Sequence, residues 1–215
     1  MGKNKLARFA EMATFPNTYE YPQNIAGTWH QEVFKNKNDI VLELACGRGE
    51  YTLGLAELFP DKNFIGIDRK GARIWRGAKT ATESNINNVA FLRTDIEQID
   101  QYFAPSEISE IWITFPDPFP AKGKARKRLT APLFTERYKK FLKHNGVIHL
   151  KTDSDLLYNY TQEIIAEQDF KIIQNIADIY GLENIKPEWN IKTYYENKWL
   201  EQGIKSKLIS FCLHS

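Results

Sequence analysis

The chain has 215 residues, of which 42% are hydrophobic and 13% aromatic, and its formal net charge is +2. This composition excludes global disorder, and the length suits one domain that buries its core without disulfides or metals. The near-neutral total does not by itself announce a nucleic-acid binder, but the charge is unevenly spread. Arg69, Lys70, Arg73, Arg76 and Lys79 crowd one stretch, and Lys122, Lys124, Arg126, Lys127 and Arg128 crowd another. Such clusters read as local patches for a polyanion.

In chain order, residues 1–38 show no strand of a regular series. They read as an N-terminal extension with one helix near Gly27–Lys35, leaving 39–215 as the main domain. From Ile40 on, apolar runs alternate with helical spacing. The strands are IVLELA (Ile40–Ala45), FIGID (Phe64–Asp68), VAFLR (Val89–Arg93), EIWITF (Glu110–Phe115) and GVIHLKT (Gly146–Thr152). Helices are expected at Tyr51–Phe59, Gly71–Glu83, Ile96–Phe103, Pro132–Leu142 and Leu156–Glu167. KIIQNIADIY and SKLISFCLH add two late strands around an aromatic-rich insertion. Strands separated by helices mean β-α-β units and a parallel sheet with helices on both faces.

Cys46 and Cys212 have no C-x-x-C spacing and read as free thiols. His30, His144, His149 and His214 show no metal-ligand spacing. No apolar run is long enough for export or membrane insertion, so the cytoplasm is the expected compartment.

Ligands of open α/β sheets sit beyond the carboxyl ends of the strands. There the chain places Glu43 in ELACGRGE with Gly47 and Gly49, then Asp68, Asp95 and Asp117. A dinucleotide fingerprint would need a third glycine where Thr52 stands, which weakens a pyrophosphate reading. Asp68 lies 21 residues after Gly47, about where an acid grips ribose hydroxyls. Four acids at successive strand ends would line one cleft suited to a cationic, ribose-bearing cofactor. Each also has a plainer reading, and Asp95 before IEQI makes a good helix cap.

VLELACGRGEY, FIGIDRKGAR, FLRTDIE, WITFPDPFPAKGKARKRLT, LKTDS and TYYE, in this order, resemble the motif set of the bacterial tRNA (guanine-N7)-methyltransferases over nearly all of Ile40–Glu196. The resemblance implies a doubly wound, mostly parallel seven-stranded sheet of the Rossmann-like S-adenosylmethionine-dependent methyltransferase fold. It implies methyl transfer to N7 of guanosine in the variable loop of tRNA, with tRNA as partner and no metal or membrane. The oligomeric state stays open between monomer and homodimer.

Residue by residue, Glu43, Asp68, Asp95 and Asp117 match cofactor-contacting acids, with Gly47 and Gly49 shaping the loop. Asp117 also matches the catalytic residue. Lys122, Lys124, Arg126, Lys127 and Arg128 match the RNA-contacting stretch, and Asp153, Thr193, Tyr195 and Glu196 match substrate positions. Two positions depart from the pattern. Ala121 stands where a substrate-contacting lysine is common, with Lys122 next to it. Ala45-Cys46 stands where a glycine followed by a small residue or Cys is common, a change expected to be tolerated.

Plainer readings accompany these. Thr193-x-x-Glu196 is a good capping box, and Asp153-Ser154 a good helix start. Three competing functions are an exocyclic-amine methyltransferase, a nicotinamide oxidoreductase and a non-catalytic RNA-binding module. PDPF lacks the consecutive prolines of the first, and Thr52 counts against the second.

Overall fold

A computed structural model describes residues 2–213, with side chains from Leu6 onward; His214 lies outside this range. The chain forms two compact units, one up to Ala104 and one from Pro105.

In the first unit, helix α1 (Gly2–Met12) leads to strand β1 (Thr18–Glu20) and a short π-helical segment, Trp29–Phe34. Then come β2 (Ile40–Leu44), α2 (Glu50–Leu58), β3 (Asn63–Asp68), α3 (Gly71–Glu83), β4 (Val89–Arg93) and a 3-10 segment, Ile96–Gln101. The strands run in the order β1-β4-β3-β2, all parallel. Residues of β2 and β3 are buried throughout, as expected of a parallel sheet covered on both faces.

The second unit holds β5 (Ile108–Thr114), a 3-10 segment (Lys122–Lys127), α4 (Pro132–Tyr138), β6 (Leu142–Thr152), α5 (Asp155–Glu167), β7 (Lys171–Ile176), α6 (Tyr194–Leu200) and β8 (Lys207–Cys212). Its order is β5-β6-β8-β7. β5 and β6 are parallel, whereas β8 runs antiparallel to both β6 and β7.

Among the described residues eight strands are present where seven were expected. The additional one is β1, within the segment read as strandless. Three residues are too short to show a period. They become a strand by pairing Thr18, Tyr19 and Glu20 with Phe91, Leu92 and Arg93. The extension is packed rather than appended. Trp29 is fully buried, donates from its indole nitrogen to the Tyr102 carbonyl at 2.8 Å, and stacks on Phe103. α1 lies on α3, where Glu11 accepts from the Trp75 indole at 2.8 Å and from Lys79 at 2.7 Å.

Close approach of α2 and α3 to β3 depends on the Phe91 ring. A Cβ on Gly49 would meet Phe91 Cε1 at 2.6 Å, one on Gly66 would meet it at 2.8 Å, and one on Gly77 would meet Phe91 Cζ at 2.7 Å. Without a third fingerprint glycine, the room comes from Gly49 together with two glycines outside the loop, Gly66 and Gly77. Gly77→Ala should cost about 1–3 kcal/mol of stability by overpacking, because the Arg48 carbonyl also stands 2.6 Å from the new Cβ. Urea denaturation would measure this, and pairing it with Phe91→Leu should recover part of the loss.

Candidate active site

At the carboxyl end of β2 the backbone turns through three left-handed residues, Ala45 (φ 60°), Gly47 (φ 59°) and Gly49 (φ 74°). Glycine takes this conformation freely, while Ala45 pays roughly 1 kcal/mol for it. Beside Gly47 a Cβ would meet only the Ala45 carbonyl at 3.9 Å, so the crest of the loop is open.

Two carboxylates brace this loop. Glu43, 3% exposed, accepts at Oε2 from the Thr52 amide at 2.8 Å and from the Thr52 hydroxyl. Thr52 is the third residue of α2, so a side-chain anion already sits on the helix N-terminus, where Gly49 offers no side-chain cap. A dinucleotide fold places pyrophosphate at that point. Here a phosphate would meet a buried carboxylate instead, and the electrostatics oppose it. Asp68 Oδ2 accepts from the Gly47 amide at 3.1 Å and Oδ1 from the Lys70 amide at 2.8 Å. Each oxygen keeps a lone pair for a further donor. Burial, with Glu43 and Asp68 nearby, raises the Cys46 thiol well above the usual range, which disfavours the thiolate a nucleophile requires. Asp95 precedes the Ile96–Gln101 segment, but its side chain does not cap it. The plainer reading of Asp95 thus finds no hydrogen bond to support it.

In the second unit, Asp117 follows β5 on an exposed turn. Phe115 (φ 47°) and Phe119 (φ 43°), on either side of it, both adopt left-handed backbone. Bulky residues avoid this region, and such outliers gather at functional sites. Asp117 Oδ1 accepts from the Phe119 amide at 3.0 Å, which fixes the carboxylate at the crest of the turn.

The basic run forms a 3-10 segment with Lys122, Lys124, Arg126 and Lys127 exposed. Arg128 differs: it is 6% exposed and donates to the Pro118 carbonyl at 3.0 Å and the Phe119 carbonyl at 3.1 Å, with Tyr160 stacked against it at 4.3 Å. It braces the Asp117 turn, and its guanidinium is turned inward. Of the five cations expected at the RNA-contacting stretch, four are exposed and Arg128 is buried.

Ser154, not Asp153, caps α5, accepting from the Leu157 amide at 3.2 Å. The Asp153 carboxylate is left out of the cap, and its main-chain carbonyl takes Lys207 Nζ at 3.1 Å. Thr193 caps α6 by accepting from the Glu196 amide at 3.2 Å, and Tyr195 is 52% exposed. Glu196 does not complete the capping box. Fully buried, it pairs with Lys151 at 2.9 Å and accepts from the Tyr180 hydroxyl at 2.9 Å. Its carboxylate is committed inside the protein, so it holds the TYYE segment while Thr193 and Tyr195 remain at the surface. Glu196 was expected at a substrate position, and the structure shows its carboxylate held by Lys151 and Tyr180.

The chain as a whole is similar to known proteins. A family model described as "Putative methyltransferase" covers residues 37–208. A tRNA (guanine-N(7)-)-methyltransferase of Bacteroides fragilis is 52% identical across 99% of this chain and 87% of its own length. The chain belongs to the tRNA (guanine-N(7)-)-methyltransferase family. A Porphyromonas gingivalis protein of that name is 49% identical over 94% of this chain and 86% of its own, and one from Clostridium novyi is 37% identical over 87% and 86%. Among solved structures, the 16S rRNA methyltransferase KamB superposes with a TM-score of 0.66 at 12% identity, covering 90% of this chain and 96% of its own. That likeness speaks for the methyltransferase fold alone. It supports the α/β, mostly parallel architecture expected from the strand–helix alternation.

Within this family setting, Ala121 and Lys122 are both exposed, so Lys122 reaches solvent one position beyond the usual lysine. The residue missed by sequence reading is Lys151. It sits fully buried at the end of β6, donating to the Trp189 carbonyl at 2.8 Å, the Ile191 carbonyl at 2.9 Å and Glu196. Burial lowers its pKa, and Glu196 opposes the shift. A lysine inside the apolar run VIHLKT was the available signal, because a buried lysine requires a partner. Among the described residues no His, Cys, Asp and Glu side chains gather in a group that could hold a metal ion, and no helix is long and apolar enough to cross a membrane.

Lys151→Met should cost about 3–5 kcal/mol, because it strands the buried Glu196 carboxylate. Adding Glu196→Leu should recover most of that loss. Equilibrium denaturation of the two single variants and the pair gives the coupling directly.

Proposed function

We propose that this protein methylates N7 of a guanosine in the variable loop of tRNA, with S-adenosylmethionine as methyl donor. The observation that carries the reading is the Glu43 carboxylate on the N-terminus of α2. It disfavours phosphate-bearing cofactors and favours a cationic one. The residues fit such a group. The open crest at Gly47 leaves room, and the spare lone pairs of Asp68 suit ribose hydroxyls, with Glu43 and Asp95 supplying further negative charge. When bound, S-adenosylmethionine supplies a methyl group activated by its sulfonium charge.

Guanine N7 is an acceptor with no proton to remove, so no general base is required. The Asp117 carboxylate, held on its strained turn, accepts from donors on the Watson–Crick edge and orients the ring. Its charge also favours the positive charge that develops on the purine. Holding the base in line contributes the rest. Lys122, Lys124, Arg126 and Lys127 grip phosphates while the base is unstacked, and Asp153, Thr193 and Tyr195 form the remaining substrate contacts. Residues 1–38 form an extension that supports the catalytic region 39–215. The cytoplasm is the compartment that fits a tRNA substrate.

Labelled methyl transfer to unmodified tRNA followed by nucleoside analysis tests the reading; label on an exocyclic amine, or none at all, would overturn it. Asp117→Asn should lower single-turnover rate by on the order of 10²-fold at saturating cofactor. Activity within about threefold of the native enzyme would reduce Asp117 to a structural acid. Asp68→Ala should weaken cofactor binding by roughly 1.5–3 kcal/mol in calorimetric titration.

A further inference from the structure

We propose that the first unit carries a second phosphate-contacting surface for tRNA, formed by Arg69, Lys70, Arg73 and Arg76 with Arg8 beside them. This rests on the tRNA reading and concerns a surface separate from the Lys122–Lys127 segment.

The cations of this stretch sort by what they already do. Lys79 is engaged, pairing with Glu11 at 2.7 Å and lying within 3.8 Å of Glu83. Arg93 is engaged too, paired with Glu20 at 2.5 Å. Arg69, Lys70, Arg73 and Arg76 are exposed, and none of them pairs with a carboxylate among the described residues. Arg8 is exposed as well, with its guanidinium 4.7 Å from the centre of the Trp75 ring. The opposite face of α3 is buried through Gly71, Ile74, Gly77, Ala78 and Ala81.

Apart from Arg8, which lies over the Trp75 ring, these charges oppose the fold electrostatically. Arg73 and Arg76 stand one turn apart, where like charges repel. Lys70 and Arg73 lie at the start of α3, whose first turn contains no acid, so they oppose the helix dipole. Exposed cations without carboxylate partners, set where their charges oppose one another and the helix dipole, point to an external anion. Its location is apt. The stretch begins immediately after Asp68, whose carboxylate holds the Gly47 amide, so it borders the carboxyl end of β3, where ligands of such sheets bind. Three arginines in the cluster suit phosphate oxygens, which the planar guanidinium meets with paired donors.

The test uses the full chain and an unmodified tRNA transcript, with affinity measured over a range of salt. Arg73→Gln with Arg76→Gln should flatten the log-affinity against log-salt slope by about 1.4–1.8, the sum of two released contacts. The charge-retaining pair Arg73→Lys with Arg76→Lys should keep the native slope, and cofactor affinity should match the native protein in both. If the Gln pair keeps the native slope while Lys124→Ala/Arg126→Ala/Lys127→Ala flattens it, tRNA binding stands and this surface is merely solvated. If the Lys pair loses as much slope as the Gln pair, the effect is not electrostatic and the proposal fails. Absence of tRNA binding by the native chain at low salt would overturn this surface together with the functional reading beneath it.

Discussion

A carboxylate placed on a helix N-terminus governs the first unit. Glu43 leaves a buried strand, reaches α2 and takes both the amide and the hydroxyl of Thr52. This one contact joins the end of β2 to the start of α2. It sets the span the loop must cross, and three left-handed residues let the loop cross it. It also fixes the sign of the local field. The N-terminal amides of a helix ordinarily attract an external anion, and here an internal one satisfies them. The same sheet architecture that elsewhere cradles pyrophosphate is thereby turned toward a cation.

The second unit uses the opposite charge for a comparable purpose. Lys151 is a buried ammonium that collects two carbonyls and a carboxylate from residues 189–196. Tyr180 completes the group by donating to Glu196. Burial and the neighbouring Glu196 raise the Tyr180 pKa, so the phenol stays a donor. Arg128 does similar work for the Asp117 turn through two carbonyls. In both places a long cationic side chain folds inward and holds an irregular segment, while shorter exposed groups face outward.

Most of the regular structure was legible because apolar runs and their punctuation follow the physics of buried parallel strands. Gly71–Glu83 and Val89–Arg93 fall where their patterns place them. The short strand at Thr18–Glu20 was not legible, since only its partner makes it a strand. In the site, residue type was readable but commitment was not. Arg128 looks like its four basic neighbours in sequence, and only the turn carbonyls behind it distinguish it. Glu196 matches a capping box, yet a lysine 45 residues away claims its carboxylate. Ser154 took the cap that Asp153 could have supplied. Local spacing identifies which groups can act, whereas long-range contacts decide which of them remain available.

The three-residue strand β1 also bears on how the margin of the sheet is covered. β4 presents a row of backbone donors and acceptors flanked by Phe91 and Leu92, and an uncovered edge of this kind templates pairing with another chain. β1 occupies that edge and is itself too short to recruit a further strand. Its last residue, Glu20, adds a charge tied to Arg93. The N-terminal segment therefore acts as a guard on the sheet margin. Proteolytic trimming back toward Ile40 would expose an aggregation-prone border even with every catalytic residue intact.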